Sequence, residues 1–296
     1  MNNKGIFTAG SAYFLWGVLP VYWKLLDSVP SSEILLHRII WALAFVAALL
    51  TWQRRWDWLW PALTNSRVIF TFIGTSILIA INWFTYNWAI NAGYILDASL
   101  GYFITPLFLV FLGVVLLGER PLFWQQLALV FAGLGVLYLT FMYGAFPWIA
   151  LSLTISFGLY GLLRKLASLS AIEGLTLETM LLSIPAVVAL AYLENQGTSA
   201  LGHAPLRTSA LLILSGAVTA VPLILFAHGA RRVPMMILGL LQYIAPTCQF
   251  IIGVAIYGEQ VSADRLIGFG LVWVGLIIFT WDGIIRSRRG SAVIQL

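Results

Sequence analysis

The sequence predicts an all-α integral membrane protein, with ten transmembrane helices arranged as two inverted five-helix repeats. Three observations predict it. Of 296 residues, 61% are hydrophobic and only 9% charged, and the mean hydropathy is +0.95. Apolar runs of about 20 residues recur throughout, the length that crosses a hydrocarbon core of about 30 Å. Residues 100–120, LGYFITPLFLVFLGVVLLGER, return as residues 240–260, LLQYIAPTCQFIIGVAIYGEQ. Pro106 matches Pro246, Gly113 matches Gly253, Gly118 matches Gly258 and Glu119 matches Glu259, at one offset of 140 (246 − 106) that Gly135 and Gly275 also keep. A duplicated membrane unit is the simplest reading.

The spans follow from apolar runs bounded by charges and turn residues. The first, 5–25, lies between Lys4 and Asp27; it is too long for a signal-peptide apolar region and is expected to remain in place. The second, 33–52, runs from behind Pro30 to Arg54 and Arg55, and the third, 67–90, from Arg67 to the Asn91 turn. The fourth, 97–117, starts at Asp97, a candidate N-cap, and stops at Gly118. The fifth, 122–142, follows Pro121, and the sixth, 146–163, stops at Arg164 and Lys165. The seventh, 175–193, precedes Glu194; the eighth, 208–229, lies between Arg207 and Arg231. The ninth, 235–257, opens behind Pro234 and the tenth, 265–283, ends ahead of Arg286. Helices are required because open strand edges do not survive in lipid, and none of these runs alternates with period two. Short connections leave no separate soluble domain, so residues 1–143 and 144–296 are expected to form the two repeats.

Five spans per half start the second copy on the opposite side of the membrane, so the repeat runs inverted. Charge tests this independently. With a cytoplasmic N-terminus, Lys4, Arg54, Arg55, Arg67, Arg120, Arg164, Lys165, Arg231, Arg232, Arg286, Arg288 and Arg289 lie inside, whereas Lys24, Arg207 and Arg265 lie outside. That asymmetry predicts that both termini are cytoplasmic. The net charge of +5 is therefore a topology signal and not a nucleic-acid footprint.

Six stretches carry a family resemblance: AYFLWGVLPVYWKLL (12–26), VPSSEILLHRIIW (29–41), DASLGYFITPL (97–107), LGER (117–120), LQYIAPT (241–247) and YGE (257–259). They resemble the RarD branch of the drug/metabolite transporter superfamily, the EamA-type transporters, over nearly the whole chain. The resemblance implies a bacterial inner-membrane carrier with a central cavity built mainly by the first, third and fourth helices of each half.

Polar residues at membrane depth are costly and often functional. Glu33 and His37 are spaced i, i+4 and share a helical face, a candidate proton-coupling pair, with Arg38 beside them. Arg38 lies about 9 Å beyond Ser32 along the axis, where it either snorkels outward or serves a substrate or proton site. Asn82, Tyr86, Tyr102 and Gln242 are candidates for a polar ring around a midplane cavity, Tyr102 and Gln242 being repeat mates, as are Phe103 and Tyr243. Trp16 and Tyr160, each followed by glycine in the first helix of its half, are candidates to stack on a flat or apolar substrate. Interhelical hydrogen bonding is the plain alternative for each polar residue. Pro106 and Pro246 each remove a helical hydrogen bond and mark points where the helices can bend.

Missing motifs narrow the chemistry. There is no GxxxxGK[ST] loop or room for a nucleotide-binding domain, no HExxH and no GxSxG, and the lone Cys248 excludes an internal disulfide. No catalytic residue, metal, cofactor or ATPase subunit is expected. The partners expected are a small-molecule substrate, the lipid bilayer and protons. The sequence thus predicts a secondary transporter that exports a small metabolite or amphipathic compound by alternating access. The alternative is a membrane-embedded enzyme using Glu33 and His37 on a lipid-linked substrate.

Overall fold

The computed structural model describes residues 3–92, 94–144, 146–258 and 263–292. The described residues form helices α1 (Asn3–Trp23), α2 (Ser31–Trp52), α3 (Leu59–Thr64), α4 (Ser66–Asn91), α5 (Ile95–Leu117), α6 (Phe123–Tyr143) and α7 (Trp148–Leu166). They continue as α8 (Ala171–Asn195), α9 (Leu206–Ala230), α10 (Met235–Gln242), α11 (Ile244–Ala255) and α12 (Ala263–Ala292), and a single 3-10 turn, Lys24–Leu26, extends α1. α10 and α11 together make one span, and among the described residues nine spans are long and apolar enough to cross a membrane. α12 adds a shorter apolar stretch, Leu266–Asp282, as the tenth. Phe7, Phe70, Phe84 and Phe141 are among the many large apolar side chains left on the outside, the surface a bilayer covers.

Local chemistry sets the ends. Pro30, Pro147, Pro205 and Pro234 precede α2, α7, α9 and α10, where the chain turns into each helix. Ser170 Oγ accepts from the Glu173 amide and Glu173 Oε2 accepts from the Ser170 amide, a capping box that starts α8. Gly118 ends α5 in the left-handed region, φ 66°, where a side chain would be strained. Asp97 does not cap α5: the helix starts at Ile95 behind Tyr94, which puts Asp97 in its first turn. Glu259 and Gln260, repeat mates of Glu119 and Arg120, lie outside the described residues.

The two halves interlock by a pseudo-two-fold. In the first, α1, α2, α4, α5 and α6 correspond to α7, α8, α9, α10–α11 and α12 of the second. α5 packs on α7 as α10–α11 packs on α1, and α1 packs on α9 as α7 packs on α4. α6 lies along its own counterpart α12. There a Cβ on Gly135 would sit 2.8 Å from the Gly268 carbonyl, and one on Gly275 would sit 2.7 Å from the Ala128 carbonyl. Residues 128 and 268, like 135 and 275, are repeat mates, so the contact is reciprocal, as at a two-fold interface.

Two expectations meet a difference here. The equivalent prolines do not behave alike: α5 runs unbroken through Pro106, whereas the ninth span is interrupted at Tyr243, ahead of Pro246. Pro246 has no amide proton for the Gln242 carbonyl, so the ladder has a gap there. The helix restarts on the bond from the Thr247 amide to the Tyr243 carbonyl. The connection after α2 also holds a short helix, α3, that was not anticipated.

Candidate functional site

A cavity of about 710 Å³ enters the bundle at the face opposite the N-terminus. Its mouth is the connection around Asp27, Ser28 and Pro30, and its walls come from α1, α2, α4, α5, α7, α9 and the α10–α11 break. The first, third and fourth helices of each half all contribute, as the family resemblance implied. The second helix of the first half contributes as well, through Ile34 and Arg38.

The inner end is aromatic. Trp16 packs between Tyr13, Phe157 and Phe226, with ring centroids 5.6, 5.8 and 5.5 Å away. Gly17, next in sequence, lets α1 meet α11: a Cβ there would sit 2.6 Å from Cys248 Cβ. Trp16 is thus fixed from the side and presents its remaining surface to the cavity.

The polar wall comes from several helices. Asn82 on α4 spends its amide on α7, donating to the Leu153 carbonyl at 2.9 Å and to Ser156 Oγ at 3.1 Å. It therefore lines the cavity and fastens α4 to α7 together. Tyr86 and Tyr102 meet edge to face, 6.1 Å apart, and both line the wall. Gln242, beside the break, is 5% exposed, and among the described residues its buried Oε1 has no hydrogen-bond partner.

Arg38 faces the same space. Trp23 and Trp83 pack against its guanidinium, their rings 4.7 and 5.0 Å away, and its Nε donates to Thr219 Oγ1 on α9 at 3.0 Å. It does not snorkel outward, because these partners hold it within the wall.

Four candidates lie outside the lining. Glu33 and His37 are buried at 1% and 2% exposure, with His37 Nε2 3.5 Å from Glu33 Oε1. Glu33 Oε1 also accepts from the Ala200 amide at 2.6 Å, tying α2 to the connection between α8 and α9. Five residues on, Arg38 lies about 140° around the helix from Glu33, so the three side chains split between two faces. Tyr160 stacks on Phe226 at 6.2 Å and donates to Glu178 Oε2 at 3.3 Å. Tyr243 is buried on the pseudo-two-fold and donates its hydroxyl to the Phe103 carbonyl.

Two charged features escaped the reading of the sequence. Arg164 and Glu178 form a buried pair, 3.7 Å apart and each about 2% exposed, and Arg164 Nη2 also donates to the Ala171 carbonyl at 2.9 Å. Arg164 reads as a topology charge, but Glu178 inside an apolar span was a legible signal. The second closes the face that carries the N-terminus. Glu119 Oε1 and Oε2 accept from the Met235 and Met236 amides at 2.7 and 2.9 Å, and Lys165 Nζ donates to the Ala230 and Val233 carbonyls. The carboxylate meets the start of α10 and the ammonium the end of α9, each the sign a helix terminus favours. Among the described residues no three His, Cys, Asp or Glu side chains gather to hold a metal ion.

The family model for the EamA-like transporter family matches residues 3–141. The chain is 41% identical over 290 residues to Protein RarD of Escherichia coli (strain K12), covering 98% of both chains. It is 43% identical over 295 residues to the uncharacterized transporter YojE of Bacillus subtilis (strain 168), covering 98% of this chain and 97% of that one. A solved crystal structure only 17% identical superposes with a TM-score of 0.68 over 94% of this chain and 98% of its own, a likeness of fold. Matched along nearly its full length by relatives of this kind, the chain is a multi-pass membrane transporter that belongs to the RarD branch of the EamA-like transporter family.

Proposed function

We propose that the protein is a secondary carrier that moves a small metabolite or amphipathic compound out of the cytoplasm by alternating access. It sits in a bacterial inner membrane with both termini cytoplasmic, and residues 1–143 and 144–296 are its two repeats. The single observation that carries this reading is the asymmetry of the cavity. It reaches from the bundle centre to one face, while Glu119 and Lys165 clamp the opposite face, in a chain whose halves are related by inversion. Trp16, Asn82, Tyr86, Tyr102 and Gln242 receive the cargo, and Glu33 with His37 couples a proton to the connection they hold. An enzyme using Glu33 and His37 as acid and base is disfavoured, because neither side chain lines the cavity.

The test is flux in liposomes made with the purified chain and loaded with a cytoplasmic metabolite extract. The reading expects one or a few solutes to leave unchanged, faster under a proton gradient and indifferent to ATP. A solute that emerges chemically altered, or efflux equal to that of protein-free liposomes, overturns it.

A further inference from the structure

We infer that the cargo is an organic anion, whose carboxylate or phosphate is held by Arg38 and whose flat apolar body lies against the cavity's aromatic residues. This rests on the carrier reading and adds the charge of what is carried.

Among the described residues, the Arg38 guanidinium has no counter-charge. Arg38 and Asp27 are, among the described residues, the charged side chains in the cavity lining. Asp27 is exposed at the mouth, whereas Arg38 lies deeper on α2. Among the described residues no carboxylate lies within 4.0 Å of Arg38, and its one hydrogen bond uses Nε, on Thr219. The terminal nitrogens, the fork that grips a carboxylate or phosphate with two parallel bonds, remain for a ligand.

The comparison with Arg164 is internal to the same protein. That guanidinium, fully buried where Arg38 is half-buried, has Glu178 at 3.7 Å and a backbone carbonyl at 2.9 Å. A structural arginine in this bundle is given its acid. Arg38 is given two indoles instead, whose ring faces attract a cation without neutralising it. A cation so placed in a cleft with low-dielectric walls attracts an anion far more strongly than it would in water. The nearest acid in sequence, Glu33, is occupied by Ala200 and His37 on another face of the helix.

The rest of the lining describes the body of the cargo. Trp16, Trp23, Trp83 and Phe157 offer ring surface, and Gln242 Oε1 lacks a donor. An anion with an aromatic ring and one N–H or O–H would answer all three demands.

Equilibrium dialysis of the full chain in nanodiscs of zwitterionic lipid tests this, using radiolabelled indole-3-acetate and, separately, radiolabelled phenyl phosphate. At least one should bind saturably. Which of the two binds identifies a carboxylate or a phosphate as the group held. Unlabelled indole-3-acetamide and tryptamine, the neutral and cationic relatives, should displace it at least tenfold less well than the unlabelled anion. Arg38→Gln should weaken anion binding at least tenfold, and Arg38→Lys should restore part of it, with circular dichroism confirming that both variants are folded. Failure of both anions to bind, equal displacement by the amide or amine, or Arg38→Gln binding within twofold of the parent each overturns the proposal. Dialysis does not depend on flux, so the two readings fail separately. Transport of a neutral or cationic solute would sink the anion and keep the carrier, and anion binding without flux in liposomes would do the reverse.

Discussion

Tyr243 donates its hydroxyl to the carbonyl of Phe103 at 3.2 Å, and the two residues are repeat mates, 140 positions apart. A contact between equivalent positions can occur only on the axis that relates the halves, so this bond marks where that axis passes through the bundle. Gly135 and Gly275, reciprocal against the carbonyls of residues 268 and 128, mark it again at the α6–α12 seam.

The seam gives the first prediction. Gly135→Val and Gly275→Val each push a side chain into a facing carbonyl, so each should destabilise by about 1–3 kcal/mol, the usual cost of overpacking. Because the sites are related by the axis, the two losses should agree closely. Thermal unfolding of each variant in detergent reads this, and one glycine tolerating valine freely would break the reciprocity.

The second prediction concerns the clamped face. Glu119→Ala removes two charge-assisted hydrogen bonds from the start of α10, each worth about 1.5–3 kcal/mol. In a Cys248→Ala background, thiol labelling of Val233→Cys, buried behind the clamp, should then speed up roughly tenfold, a shift of about 1.4 kcal/mol. Lys165→Met should act in the same direction. Labelling that stays at the parent rate in both would show that the face is shut by packing alone.

For the cavity wall, Tyr102→Leu and Gln242→Leu should lower flux on the order of tenfold while membrane abundance stays within about twofold. Gln242→Leu carries a sign as well: removing a buried, unpartnered oxygen should leave thermal stability unchanged or higher. Equal losses of abundance and flux would make these side chains packing elements.

Glu33→Gln and His37→Gln test the proposed coupling pair. A proton shifts the access equilibrium only if the two states bind it differently. Glu33 holds the Ala200 amide in the connection beside the open face, which is the contact through which the proposed coupling would act. Both variants should flatten the pH profile of net transport while solute exchange at fixed pH persists. An unchanged profile in folded protein removes protons from this pair.

The spans were legible because apolar length is a local property, and the inversion followed from an odd count and a charge asymmetry. The cavity was legible in part. Helical periodicity puts Tyr86, Tyr102 and Gln242 on inward faces, but it cannot separate Trp16, which reaches the cavity, from Tyr160, which Phe226 and Glu178 turn away. The clamp was beyond reach for a related reason: Glu119 and Met235 are 116 residues apart, and nothing local to either names the other. Arg38 was read beside Glu33 because sequence distance hides the angle between faces.

The ninth span is interrupted at Tyr243 while its equivalent, α5, runs whole through Pro106. One motif therefore occupies two shapes at once, and under the proposed alternating access an exchange of those shapes between the halves would turn the arrangement upside down. In the proposed carrier, two such arrangements would differ in free energy by what the repeats do not share, and that difference is what preferential binding has to offset. Reversing a 1:99 population to 99:1 takes about 5.5 kcal/mol of preferential binding, and a near-even balance responds to far less. That is the scale on which cargo or a proton would have to favour one arrangement in the proposed carrier.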